Sequence, residues 1–464
     1  MNLDFSSLTL SPAMLSNLES LGYAQMTPIQ AQSLPQVLAG KDLLAQAKTG
    51  SGKTAAFGIG LINKLNQRFF GTQGLVLCPT RELADQVTKE LRRLARATQN
   101  IKLVTLCGGV PIGPQIGSLQ HGAHVVVGTP GRILKHLNKG TLDLSQISTL
   151  VLDEADRMLD MGFSDEIDAI IEALPAAGKG GRQTLLFSAT YPESMAELCG
   201  HVLHQPVEVR IEATHSIEHI SQQFYEVPKE QRNATLVSLL IQHQPESAII
   251  FCNTRQQTQT LADELDAMGF YARALHGDLE QRERDRVWTQ FANRSVSILV
   301  ATDVAARGLD IKELDMVVNF ELSHDPEVHI HRIGRTGRAG QTGLALSLFS
   351  TNEVKRLMAI EEYQGQAIKP QKLDRLSKPE AGFKLTPPMA TLQIDGGRKQ
   401  KVRPGDILGA LTGDKGITGK QVGKIDLFDN TAYVAIERAA AKQALNLLNT
   451  GKIKGRKFRV RQLH

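Results

Sequence analysis

Between about residues 20 and 205, short wholly apolar runs alternate with stretches whose apolar positions recur at helical spacing. Leu43-Leu44-Ala45, Gly74-Leu75-Val76-Leu77-Cys78, Val125-Val126-Val127, Leu150-Val151-Leu152 and Thr184-Leu185-Leu186-Phe187 read as strands. A strand apolar on both faces has to be buried on both, so the pattern predicts a parallel sheet sandwiched between helices. A second series starts near residue 220 and includes Ala248-Ile249-Ile250-Phe251, Ile298-Leu299-Val300 and Met316-Val317-Val318. It predicts a second α/β domain. Boundaries are expected at 1–206 and 207–365.

Residues 366–390, rich in Lys and Pro, read as a linker or extended crossover. The rest, 391–464, follows a βαββαβ order, with strands at 391–394, 420–427, 432–436 and 457–460. Helices fit 404–411 and 439–449. That is the order of a small α+β module of the kind that binds RNA.

Composition narrows the class. Hydrophobic content of 41% and charged content of 22% are those of a globular protein with sizeable cores. No run of eighteen apolar residues occurs, so no membrane span is expected. Met1-Asn2-Leu3-Asp4-Phe5 lacks the basic and apolar regions of a secretory signal. Cys78, Cys107, Cys199 and Cys252 are scattered and read as buried thiols. A cytoplasmic protein is expected.

Charge separates the tail from the body. Residues 391–464 hold 15 Lys+Arg and 6 Asp+Glu, a net of +9, whereas the preceding 390 residues are net −4. A basic block on a mildly acidic body points to an appended polyanion-binding module.

Candidate chemistry starts at Ala47-Lys48-Thr49-Gly50-Ser51-Gly52-Lys53-Thr54, between a strand and a helix. Gly50 and Gly52 let the backbone wrap a polyphosphate, whose charge the helix N-terminus favours. Lys53 would reach the β- and γ-phosphates, and the Thr54 hydroxyl would hold Mg²⁺. Leu150-Val151-Leu152 runs into Asp153-Glu154-Ala155-Asp156. Beside a phosphate cradle, Asp153 suits Mg²⁺ and Glu154 suits orienting or deprotonating the attacking water.

These motifs are joined in order by Pro79-Thr80-Arg81-Glu82-Leu83-Ala84, Gly108-Gly109, Thr129-Pro130-Gly131-Arg132, Ser188-Ala189-Thr190, Ala301-Thr302-Asp303 and His331-Arg332-Ile333-Gly334-Arg335-Thr336-Gly337-Arg338. With them, residues 1–364 resemble a DEAD-box RNA helicase. The resemblance implies two tandem RecA-like parallel-sheet domains, with ATP and Mg²⁺ as cofactors. It implies an adenine site at Phe5, Tyr23, Thr27 and Gln30, and a ribose contact at Asp310. Gln30 would select ATP over GTP and Tyr23 would stack on the base. Arg335 and Arg338 resemble arginine fingers, which raise rates by about 10³–10⁵. Arg332 is left open as a basic surface for RNA. An RNA track is implied at Thr80, Arg81, Gly109, Thr129 and Arg132, then Arg255, Gly277, Gln281, Arg284 and Thr302. Asp156, Ser188, Thr190 and His331 resemble a polar link between the ATP and RNA sites.

The tail resembles the C-terminal domain of the bacterial DEAD-box protein A (DbpA) family. That implies anchoring on a hairpin of large-subunit (23S) ribosomal RNA during assembly of the large subunit, with the pre-ribosomal particle as partner. Tyr433 is the single aromatic on the strand pair where base-stacking residues are expected. Basic loops are the better RNA candidates, at Arg398, Lys399, Lys401 and Arg403 and at Lys452 and Lys454. A monomer is expected. An ATP-gated RNA clamp and a general RNA chaperone without a ribosomal target are the alternatives.

Overall fold

Seven parallel strands form the first sheet: β1 (Leu43–Gln46), β2 (Gly74–Leu77), β3 (Leu103–Leu106), β4 (Val125–Gly128), β5 (Thr149–Asp153), β6 (Gln183–Ser188) and β7 (Val207–Arg210). Their order is β3-β4-β2-β5-β6-β1-β7. The computed structural model describes every residue except 1–2, 48–50, 99, 178–180, 192, 212–218, 307–313, 338–341, 373–376, 381, 414–415 and 464. Successive side chains point to opposite faces. Val76, Val127, Val151 and Phe187 therefore pack under the helices Lys53–Lys64 and Arg81–Leu94. Leu75, Leu77, Leu150 and Leu186 pack on the other side with Ile133, Ile167 and Leu198. Each such buried side chain contributes about 1.5–3 kcal/mol.

The first sheet runs past the boundary expected at 206, because β7 pairs with β1. Val-Glu-Val-Arg alternates apolar and polar residues, as an edge strand does, and so does not read as an apolar run.

The second compact unit holds a second parallel sheet and the tail together. Its strands are β8 (Ile220–Glu226), β9 (Ala248–Phe251), β10 (Ala272–Leu275), β11 (Ile298–Ala301), β12 (Met316–Asn319) and β13 (Gly343–Phe349). They are ordered β10-β11-β9-β12-β13-β8. The tail is an antiparallel sheet of β14 (Met389–Ile394), β15 (Val422–Leu427), β16 (Ala432–Glu437) and β17 (Val460–Gln462), ordered β15-β16-β14-β17. Leu392, Ile394, Val434 and Ile436 pack against Ile407 and Leu411 of one helix and Ala444 and Leu448 of the other.

The other face of the tail sheet is covered. Thr391, Gln393, Tyr433 and Ala435 are all buried. The Thr391 hydroxyl meets the Asn293 amide at 2.8 Å and the Ser295 hydroxyl at 2.6 Å. The Arg438 guanidinium lies 5.0 Å from the Tyr271 ring centre and donates to the carbonyls of Pro387 and Met389. Residues 377–380 and 382–385 are laid along the same domain. Ser377 N–H donates to Ser238 Oγ and Leu385 N–H to the Gly269 carbonyl. Gly269 has to be glycine: its φ is +91°, and a Cβ there would lie 2.2 Å from the Phe383 oxygen. The described part of the stretch expected to be a linker or extended crossover is therefore laid against the second parallel-sheet domain.

Candidate active site

β1 delivers the chain into the phosphate-cradle turn. Lys48, Thr49 and Gly50 lie outside the described residues, and Ser51 and Gly52 follow. Gly52, at φ +96°, opens the helix Lys53–Lys64, whose second residue is Thr54. Lys53 is buried, and its Nζ donates to the Ala47 carbonyl at 2.8 Å. The helix N-terminus presents N–H groups and a positive dipole end to an anion.

Gln30 is 2% exposed, and both ends of its amide are engaged. Its oxygen accepts from Thr27 N–H at 2.9 Å, and its nitrogen donates to the Gly52 carbonyl at 3.1 Å. A Cβ on Gly52 would stand 2.5 Å from that nitrogen. The amide expected to face adenine thus also ties the helix Pro28–Leu38 to the cradle. Phe5 is buried edge-on to Tyr23, with ring centres 6.1 Å apart. The Tyr23 hydroxyl donates to Glu90 at 2.5 Å, and burial and that carboxylate push its pKa up. Glu90, which no motif marks, places the ring.

β5 ends at Asp153. Glu154 follows with φ +54° and ψ 52°, a left-handed conformation rare outside glycine. Its carboxylate lies 3.4 Å from Arg157 Nε, with both side chains buried. Burial pushes the Asp153 carboxyl up to about 7, against the pull of Lys53. Burial would raise Asp156 too, but Lys53, Arg157 and hydrogen bonds from Thr190 outweigh it and hold that carboxyl low.

Among the described residues, Asp153 Oδ1, Asp156 Oδ1 and Ser51 Oγ are buried without a hydrogen-bond partner, while Glu154 Oε2 has its Arg157 ion pair. Orphaned carboxylate oxygens this deep are costly, and a divalent cation fits them. No group of three or more His, Cys, Asp or Glu ligands occurs among the described residues. One carboxylate, one hydroxyl and substrate phosphates are the kind of set that Mg²⁺ accepts.

Asp156 leads outward from this cluster. Its Oδ2 accepts from the Thr190 hydroxyl at 2.9 Å and the Thr190 N–H at 3.0 Å, and the Ser188 hydroxyl donates to the Thr190 carbonyl at 2.6 Å. His331 lies on the helix Pro326–Ile333 of the second unit.

The candidate RNA residues sit where strands end. Thr80 caps the helix Arg81–Leu94, its hydroxyl accepting from Leu83 N–H, and Arg81 lies 3.8 Å from Asp85. Gly109 has φ +73°. Thr129 precedes the helix Pro130–Asn138, which carries Arg132. In the second unit Arg255 pairs with Asp278 at 2.6 Å, and a Cβ on Gly277 would touch its guanidinium. Gln281 and Arg284 share the helix Gln281–Ala292, and Thr302 caps Asp303–Ala306.

Arg332 is no surface residue. It is 2% exposed, and its guanidinium donates to both Asp303 oxygens at 2.7 Å and to Asn253, Asn319 and the Glu321 carbonyl. This hub holds the helix whose far end leads to Arg335. Arg338 and Asp310 lie outside the described residues.

In the tail, Lys454 Nζ donates to the Lys401 carbonyl at 3.1 Å, which joins the two basic loops. Arg398, Lys399, Lys401, Arg403, Lys452 and Lys454 are all exposed. Tyr433 is 8% exposed, with its ring edge-on to Phe428. Its face of the sheet is docked and offers no open platform for bases.

Comparisons agree with this layout. Residues 27–198 match the family model of the DEAD/DEAH box helicase, 231–340 that of the helicase conserved C-terminal domain, and 391–462 that of the DbpA RNA binding domain. The chain is 54% identical to the ATP-dependent RNA helicase DbpA of Escherichia coli (strain K12), over 99% of both chains. It is 37% identical to the ATP-dependent RNA helicase DbpA of Bacillus subtilis (strain 168), over 98% of both. Among solved structures, S. cerevisiae Dbp5 bound to RNA and ADP BeF3 is 30% identical with a TM-score of 0.71, covering 80% of this chain and 95% of that one.

Proposed function

The chain belongs to the DEAD-box ATP-dependent RNA helicases of the DbpA type, RNA-stimulated ATPases, and from that premise we propose how its own residues divide the work. ATP lies on the cradle, with Lys53 and the helix N-terminus on its phosphates and the Gln30 segment at its base. Thr54 and Asp153 hold Mg²⁺, which supplies charge neutralisation across the phosphates. Glu154 orients or deprotonates the attacking water, and Arg335 and Arg338 stabilise the transferring phosphoryl group. RNA runs over Thr80, Arg81, Gly109, Thr129 and Arg132 and over Arg255, Gly277, Gln281, Arg284 and Thr302. Asp156, Thr190, Ser188 and His331 transmit between the two sites.

The observation that carries this reading is the buried Asp153–Glu154–Asp156 cluster beside Lys53, in which one oxygen each of Asp153 and Asp156 lacks a hydrogen-bond partner. The two basic loops joined by Lys454 support the tail as anchor. We assign them to a hairpin of large-subunit (23S) ribosomal RNA, and the protein to assembly of that subunit as a cytoplasmic monomer. Strand displacement tests the assignment. A short duplex beside that hairpin should open with ATP much faster than the same duplex beside an unrelated hairpin. Equal rates would contradict the ribosomal target.

A further inference from the structure

Gln115 lies in the first turn of the helix Gly113–Gln120 and is 9% exposed. Its amide nitrogen donates to the Cys107 carbonyl at 3.0 Å, which fixes the orientation of the amide. Its oxygen accepts from Arg132 Nη1 at 2.8 Å and sits 3.0 Å from His136 Nε2. The second Arg132 nitrogen donates to the Val110 carbonyl at 2.9 Å. Burial, then Arg132, hold the His136 pKa low. Gln115 Oε1 can only accept, so His136 Nε2 is the donor in that contact, and Nδ1 faces the Thr141 hydroxyl at 2.9 Å.

These bonds cross between two strand ends. The segment after β3 carries Gly109, and the helix after β4 carries Arg132. We infer that Gln115 is a positioning residue for RNA, setting the distance between the Gly109 backbone and the Arg132 guanidinium before any RNA arrives. The inference rests on the RNA-facing reading of those two residues. An amide puts a donor and an acceptor side by side, so one side chain grips a carbonyl and a guanidinium at once; a carboxylate lacks the donor. Contacts preset in this way lose less freedom on binding.

The test is the RNA concentration that gives half-maximal ATPase stimulation, read in Gln115→Ala, Gln115→Glu, Arg132→Ala and the Gln115→Ala/Arg132→Ala pair. Arg132→Ala and Gln115→Ala should each raise it by about tenfold, with KM for ATP little changed. The double variant should fall well short of the product of the two. Gln115→Glu keeps volume and the acceptor but sets an oxygen against the Cys107 carbonyl. It should fall between wild type and Gln115→Ala, and it answers the question if the alanine variant does not fold. A raised requirement in Arg132→Ala with none in either Gln115 variant overturns the positioning role, as does a fully multiplicative double. An unchanged requirement in Arg132→Ala overturns the RNA-facing reading of the loops, and this inference with it.

Discussion

Glu154 holds its carboxylate 3.4 Å from Arg157 Nε, from a backbone in the left-handed region. That conformation costs a non-glycine residue about 1–3 kcal/mol and persists only where its surroundings enforce it. Here the strand end β5 and the helix Ala155–Asp160 enforce it, and they hold the acid beside the buried Asp153.

Glu154→Gln keeps shape and hydrogen bonding but removes the base. Turnover at saturating RNA should fall by about 10²–10⁴, while ATP-dependent RNA binding persists. Turnover within a few-fold of wild type would take Glu154 out of water activation.

Gln30→Ala strands the Thr27 N–H and the Gly52 carbonyl as well as any adenine contact. KM for ATP should rise by about tenfold, and the preference for ATP over GTP should narrow. Unchanged discrimination between the two nucleotides would refute the adenine assignment.

What the sequence revealed follows from which interactions are local. Central strands such as Val125–Gly128 are apolar on both faces and therefore stand out. β7 and β8 lie at sheet edges and carry Glu208, Arg210, Gln222 and Gln223, so their periodicity is diluted. The cradle and the Asp-Glu-Ala-Asp run are contiguous, and were legible for that reason. Gln115 gains its meaning from Cys107 after one strand and from Arg132 and His136 on the helix after another, and no short pattern contains it. The lone Tyr433 already favoured the basic loops over stacking, but the docking of the tail sheet was not legible, because it depends on Asn293 and Ser295, about a hundred residues from Thr391.

Thr391→Val removes the hydroxyl at nearly constant shape. The Asn293 amide and the Ser295 hydroxyl lose that partner inside a buried contact, a cost of about 1–3 kcal/mol. Hydrogen exchange should quicken at 293–295 and 389–394. Identical protection in the variant would show that this contact does not hold the tail in place.

Arg332→Met leaves the Asp303 carboxylate without its guanidinium and leaves Asn253 and Asn319 short of a donor. Asp303 is only half-buried and can turn to water, so the loss is chiefly that of the stranded buried amide oxygens, about 1–3 kcal/mol, and the urea midpoint of the second unit should drop. A midpoint equal to wild type would make the hub dispensable.

In the proposed division of labour, the parallel-sheet body performs ATP chemistry on RNA of any sequence and the basic loops of the tail choose the target. The direct measurement compares ATPase stimulation by a large-subunit ribosomal RNA fragment and by an unrelated RNA of equal length. It is made in wild type and in a variant with Arg398, Lys399, Lys401, Lys452 and Lys454 replaced by Ala. Tethering raises local concentration, so wild type should need roughly a hundredfold less of the ribosomal fragment, an advantage that shrinks as salt rises. The variant should reach the same maximal turnover with either RNA and show almost no preference. A variant that kept the full preference would place target choice in the body and contradict the account.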